Sequence, residues 1–148
     1  MHVLTPEHYA RLRRLAEAWT RVHLREAKAS PLFNPRLAAD ALCFQRHGDP
    51  VLGEQLVGVL VTPVSLWLVM VPAAEAGEPP EAGSRHWLTL PSGVYPLETV
   101  LLGETRWCRR LVLLDDLSDV ASRQAASRLA QQLMERVMAP GQKGEGGV

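Results

Sequence analysis

An apolar run at the centre of the chain, residues 56–71, constrains the fold more than any other feature. Its first part ends at Thr62-Pro63, and its second part continues from Ser65 to Val71. A membrane-spanning helix needs about 20 consecutive apolar residues, and this run has a proline and two hydroxyl side chains at its middle. Valine-rich segments separated by Thr-Pro are typical of two β-strands that turn back on each other. The run therefore predicts the centre of a packed sheet, without a side chain suited to strong acid, base or nucleophilic chemistry.

The size and charge of the chain exclude several classes of protein. Its 148 residues carry 16 basic and 16 acidic side chains, so no global field directs it to nucleic acid or to an anionic membrane. We predict one domain over residues 1–140 and a disordered tail over residues 141–148. With no signal peptide visible and two widely spaced cysteines, we expect a cytoplasmic protein with free thiols.

Helix signals lie near both ends of the chain. Thr5-Pro6-Glu7 combines a capping hydroxyl, a proline suited to the first helical position and an acid in the first turn, and the apolar pattern continues to about Lys28. The acidic segment 115–119 is expected to open a second helix that ends before Pro140-Gly141.

Strand patterns fill the space between the two helices. Beyond the central pair, we predict a first strand at residues 37–45 with a turn at 47–50, an exposed loop at 73–84, and strands at 85–90, 94–102 and 106–114. The connections are too short for parallel crossovers. The sequence therefore predicts an α+β fold: a mostly antiparallel sheet of about six strands with both helices packed on one face.

The residues that could carry chemistry do not form a recognisable catalytic or metal motif. Cys43 and His47 have zinc-like spacing without a second ligand pair, and no phosphate-binding glycine motif occurs, so we predict neither metal nor cofactor. We predict a protein that is not an enzyme. The alternative is a small cysteine-dependent redox or enzyme domain that uses Cys108 or Cys43.

Three groups of residues could instead serve recognition. Trp67 and Trp87 flank the exposed loop, and each is either a core residue or an anchor for a partner. Asp115 and Asp116 either cap the second helix or form an acidic site for an arginine-bearing peptide. A basic stripe on the first helix is a solvated face, a site for an anion or acidic partner, or a nucleic-acid surface, and the zero net charge argues against the last of these. The members of this stripe are Arg11, Arg14, Arg21, Arg25 and Lys28.

Several short blocks, taken in order, resemble the HybE-type family of [NiFe]-hydrogenase assembly chaperones. The blocks are Asn34-Pro35, Phe44-Gln45-Arg46, the segment 56–63, Val71-Pro72, Pro91-Ser92-Gly93-Val94-Tyr95 and Cys108. The chain departs from the family pattern at Val64, where an aromatic residue is usual, and after Cys108, where Arg109-Arg110 stands in place of a serine-leucine segment.

The resemblance implies an accessory chaperone that binds a hydrogenase large subunit, the twin-arginine signal peptide of the small subunit, or both. Two cysteines cannot supply the four thiolates of an iron-binding rubredoxin-like module, so we expect no bound iron. We also expect no nucleic-acid partner and no membrane insertion, and weak self-association is left open. The expected partner-binding residues are Thr62, Pro63, Val64, Trp67, Trp87, Pro91, Ser92, Gly93, Tyr95, Cys108, Asp115 and Asp116.

Overall fold

The computed structural model describes residues 3–141 and contains, within them, two helices and one six-stranded sheet. The predicted α+β class and antiparallel sheet are confirmed. In chain order the elements are α1 (Pro6–Lys28), β1 (Asp40–Asp49), β2 (Gly53–Val61), β3 (Leu66–Pro72), β4 (Arg85–Leu90), β5 (Gly93–Leu101), β6 (Trp107–Leu114) and α2 (Arg123–Met138).

The strands are arranged in the order β1-β2-β3-β6-β5-β4, and all neighbours are antiparallel. The central apolar run forms the β2–β3 hairpin in the middle of the sheet, with Val61 opposite Leu66 at its turn. β1 and β4 are the two edges. The sheet curls so strongly that Asp49 at the end of β1 and His86 in β4 meet, with 2.8 Å between Oδ2 and Nε2.

The two helices cover opposite faces of the sheet, so the prediction that both pack on one face is wrong. On β2, Leu56 and Leu60 belong to the apolar cluster around α1, whereas Val57 and Val59 belong to the cluster around α2. The physical reason lies in the central run itself. Every residue of β2 from Gln55 to Val61 is buried, and a strand that is apolar on both sides needs a cover on each.

The start of α1 agrees with its sequence signal, whereas the start of α2 does not. Thr5 Oγ1 accepts a hydrogen bond from the His8 amide at 3.1 Å, which caps α1. α2 begins after Ser122, whose hydroxyl accepts from the Ala125 amide at 3.0 Å. The acids of segment 115–119 therefore lie in the connection before α2, and the prediction that they open this helix is wrong.

The first strand begins and ends later than predicted, at Asp40–Asp49 rather than residues 37–45. A bulge interrupts its alternation, with Cys43 at a φ of 62°. The turn lies at residues 50–52, where Asp49 Oδ1 accepts from the amides of Val51 and Leu52 at 2.8 and 2.9 Å. Of the predicted tail, only Gly141 belongs to the described residues; 142–148 lie outside them.

Candidate surface for partner recognition

The α1 side of the sheet is covered by the helix over only part of its width. α1 packs on side chains of β2 and β3, including Leu60 and Val69. On β4, β5 and β6 the same side carries exposed apolar residues: Trp87 is 62% exposed, Val94 56% and Val112 38%. Trp87 lies directly opposite Pro96 in the β4–β5 pair. We call Trp87, Val94, Pro96 and Val112 the apolar face.

A groove of about 350 Å³ lies between α1 and the strands on the same side of the sheet. Trp19 and His23 line it from the helix, and Val64, Trp67 and Arg110 line it from the sheet. The Arg110 Cζ atom lies 4.6 Å from the centroid of the Trp67 ring, a distance typical of a cation–π contact. The groove thus combines apolar walls with a guanidinium, and Glu26 adds a carboxylate.

Hydrogen bonds fix the β2–β3 turn, which carries three of the predicted partner-binding residues. Thr62 Oγ1 accepts from the amides of Val64 and Ser65 at 3.1 and 2.9 Å. Trp67 Nε1 donates to Ser65 Oγ at 2.8 Å, so the polar atom of this nearly buried indole is satisfied. Thr62 and Pro63 are buried, whereas Val64 and Ser65 line the groove.

Asn34 joins this turn to the segment before α2. Its side-chain Nδ2 donates to the carbonyl oxygens of Leu117 and Val120 at 2.8 and 2.9 Å, and its backbone N–H donates to Pro63 O at 2.9 Å. The sequence offered only the Asn34-Pro35 block of the family resemblance, with no signal that the side chain links distant loops. Asn34 is therefore a structural residue of this region that sequence reasoning missed.

The predicted residues of the β4–β5 turn lie against α2. The Ser92 amide donates to Val137 O at 3.3 Å, and the hydroxyls of Ser92 and Tyr95 are hydrogen-bonded. Tyr95 packs into the apolar cluster around α2. Because β5 and β6 are antiparallel, this turn lies at the same end of the sheet as the β2–β3 turn and the start of segment 115–119.

The two predicted acids are exposed at that end. The Asp116 carboxylate accepts from the hydroxyl and the amide of Ser118 at 2.6 and 2.9 Å, and these bonds hold the pKa of Asp116 below its usual value. Asp116 thus stabilises its own loop, while Asp115 and Asp119 present carboxylates to solvent.

The two tryptophans that could be core or anchor differ in exposure. Trp67 is 5% exposed and lies beneath Arg110, whereas Trp87 projects from edge strand β4. Strand order explains the difference, since β3 is in the middle of the sheet and β4 is at its edge.

The cysteines lie apart from each other, on β6 and β1. Cys108 is fully buried, and burial raises the pKa of its thiol to about 12 although the nearby charge of Arg110 acts in the opposite direction. Cys43 is exposed, and partial burial followed by the charge of Glu135 raises its pKa. Because the thiolate is the reactive form, neither environment activates a nucleophile at neutral pH.

Metal-binding clusters and membrane-spanning helices are both absent from the described residues. Residues 3–141 contain no group of three or more His, Cys, Asp or Glu side chains arranged to hold a metal ion. Neither helix in that range is long and apolar enough to cross a bilayer.

A scan against family models matches residues 10–146 to the family described as [NiFe]-hydrogenase assembly, chaperone, HybE. The chain belongs to the HybE family. Searches of curated proteins and of solved structures found no match. Membership in the HybE family implies a chaperone of hydrogenase maturation with hydrogenase-related partners, which is consistent with a protein that is not an enzyme.

Proposed function

We propose that this HybE-family chain holds a hydrogenase subunit in the cytoplasm until assembly is complete, and catalyses no reaction. The client is the large subunit, the twin-arginine signal peptide of the small subunit, or both. The observation that carries the proposal is the apolar face, where an indole and two valines stay exposed beside a groove on one side of the sheet. Exposed apolar patches of this kind are typical of protein interfaces, and tryptophan is enriched among residues that dominate binding energy.

The physical basis is temporary burial of apolar surface. A client segment that covers Trp87 and its neighbours removes them from water, at about 25 cal/mol per Å² of apolar area, and the cost of association offsets part of this gain. Because a chaperone must release its client, we expect a dissociation constant of about 1 µM, which corresponds to about −8 kcal/mol.

The acids before α2 support the signal-peptide part of the proposal. A twin-arginine peptide presents two guanidinium groups followed by an apolar stretch, and carboxylates are their natural partners. Asp115 and Asp119 are exposed next to the end of β6, whose Val112 belongs to the apolar face. One peptide could therefore place its arginines on the acids and its apolar residues on the sheet.

The first test compares the affinity of purified client subunits for Trp87→Ala and Val94→Ala variants. We expect at least a tenfold loss for Trp87→Ala and a smaller loss for Val94→Ala, measured by calorimetry. Val51→Ala is the matched control, because Val51 is 80% exposed but lies in the β1–β2 turn, outside the apolar face. Equal affinities for all three variants would exclude the apolar face as the binding surface.

The second test uses a synthetic signal peptide and the double variant Asp115→Asn/Asp119→Asn. We expect weaker binding at low ionic strength and a smaller dependence on salt, because two screened charge pairs are lost. The control is Glu81→Gln/Glu104→Gln, which removes two exposed acids from loops at the opposite end. If the two double variants bind the peptide equally well, the acids before α2 are not its receptor.

A further inference from the structure

A second cavity, of about 200 Å³, lies on the α2 side of the sheet, at the end away from the β2–β3 turn. Gln55 of β2 and Arg109 of β6 line it from the two strands that flank β3. Gln55 is two residues from Val57 on β2, and Arg109 is two residues from Leu111 on β6. Val57 and Leu111 belong to the apolar cluster around α2, and residues two apart on a strand face the same side of the sheet. Trp107 and Pro80 are among the apolar residues that line it. This cavity is therefore on the opposite side of the sheet from the apolar face.

Gln55, one of the residues that line this cavity, has an unsatisfied acceptor. The residue is 2% exposed, and its Nε2 donates to Leu52 O at 3.2 Å. Its Oε1 is buried without a hydrogen-bond partner among the described residues. A buried polar atom without a partner costs about 1–3 kcal/mol, so the site favours a ligand that donates an N–H here.

The guanidinium of Arg109 has N–H donors that no carboxylate of the described residues pairs with. Its Cζ atom lies 5.1 Å from the Trp107 ring centroid, and no described carboxylate forms an ion pair with it. The nearby carboxylate of Asp49 instead accepts from His86 and from backbone amides. Burial lowers the pKa of Arg109, although the charge of Asp49 opposes this effect. A partly desolvated guanidinium of this kind favours an anion with two oxygens.

We propose that the cavity binds the C-terminal residue of a peptide chain. The α-carboxylate lies on the Arg109 guanidinium, the amide N–H of the same residue donates to Gln55 Oε1, and a small apolar side chain packs against Trp107. A chain terminus supplies both an anion for the guanidinium and an N–H donor for the amide oxygen. The volume is suited to one or two residues of an extended chain end.

The test titrates the full-length protein with the peptide N-acetyl-Ala-Ala-Leu-Val, either with a free carboxylate or as the C-terminal amide. Binding is followed by NMR through the indole signal of Trp107 and the side-chain amide signal of Gln55. We expect saturable shifts with the acid and at least tenfold weaker binding of the amide. Inorganic phosphate is the third probe, and equal or tighter binding of phosphate would identify the site as a general anion site and overturn the proposal.

Variants separate a binding role from a structural one. Gln55→Met removes the unsatisfied acceptor, so we expect unchanged or higher thermal stability together with at least fivefold weaker peptide binding. Arg109→Lys should also weaken binding, because lysine cannot form the bidentate contact. Glu78→Gln removes an exposed acid from the rim of the cavity and should strengthen peptide binding. Arg128→Leu, on the exposed side of α2, is the control expected to have no effect.

The outcome is independent of the hydrogenase client, because no subunit is present in the titration. If acid and amide shift the same signals with equal affinity, or if neither binds, the cavity does not recognise a chain terminus. Either result would overturn this assignment and leave the apolar face, on the other side of the sheet, unaffected.

Discussion

The contact between Gly58 and Phe44 gives a sharp prediction about stability. Gly58 lies in the middle of β2, and the bulge in β1 places the Phe44 ring over it. A Cβ atom at position 58 would overlap the Cγ and Cδ1 atoms of Phe44 and would lie 2.7 Å from its Cα atom. Carbon atoms pack at about 3.5–4.0 Å, so the backbone of β1 would have to move by about 1 Å.

The expected magnitude follows from two opposing effects. Overpacking of a core costs about 1–3 kcal/mol and sometimes more, and here backbone as well as side chain is in the way. Replacing glycine restricts the unfolded chain, which stabilises the protein by about 0.4–1 kcal/mol. Because the backbone is in the way, we take the upper end of the overpacking range and expect Gly58→Ala to lower the free energy of unfolding by about 2 kcal/mol or more. The melting temperature should fall by about 2–4 °C for each kcal/mol.

Gly48→Ala is the matched control, because a Cβ at this β1 position would meet no atom within 4 Å. It should leave stability unchanged or raise it slightly. The assay is urea unfolding followed by tryptophan fluorescence, with the midpoint shifted and the slope unchanged. A double variant with Phe44→Leu should recover part of the loss. If Gly58→Ala is as stable as Gly48→Ala, the described packing of Phe44 on Gly58 is incorrect.

Three further predictions concern acid stability, thiol reactivity and loop linkage. Burial opposes ionisation of Asp49, but hydrogen bonds from His86 and two backbone amides outweigh burial and lower the pKa of Asp49. The stabilisation by Asp49 is therefore complete above its unfolded pKa of about 3.9 and is lost as pH falls through the lower folded pKa. Urea midpoints of the wild type and Asp49→Asn should differ at pH 7 and converge by about pH 2, and a constant difference would contradict this. Iodoacetamide at pH 8 should modify only Cys43 in the native protein, and mass spectrometry should find Cys108 modified only after unfolding; native labelling of Cys108 would refute its burial. Asn34→Ala removes the hydrogen bonds to the carbonyl oxygens of Leu117 and Val120 and leaves these oxygens without that donor. Calorimetry should therefore record a loss of about 2–4 kcal/mol in the free energy of unfolding. A loss below about 0.5 kcal/mol would contradict the linking role of Asn34.

The strands were largely predictable because their signals are local. The Thr62-Pro63 interruption of an apolar run indicates a hairpin at once. The bulge at Cys43 was not predictable, because it depends on Phe44 meeting the glycine of a neighbouring strand. The same bulge disturbs the period-two pattern from which strand boundaries are read.

The arrangement of layers and the candidate surface depend on contacts between distant segments. Both helices are amphipathic, and an amphipathic pattern alone does not say which side of a sheet a helix covers. The curl brings Asp49 to His86, a contact between residues 37 positions apart. Likewise, Trp67 and Trp87 both occur in predicted strands, and only the strand order determines that the second one is exposed.

The most direct test of the chaperone account is affinity purification of the tagged protein from its own host under hydrogenase-inducing conditions, analysed by mass spectrometry. The account predicts that the wild type and Val51→Ala recover an unprocessed large subunit or a small-subunit precursor with its signal peptide, and that Trp87→Ala recovers much less. If the subunits are expressed and none is recovered with the wild type, even after mild crosslinking, the proposed role as a client-holding chaperone is contradicted.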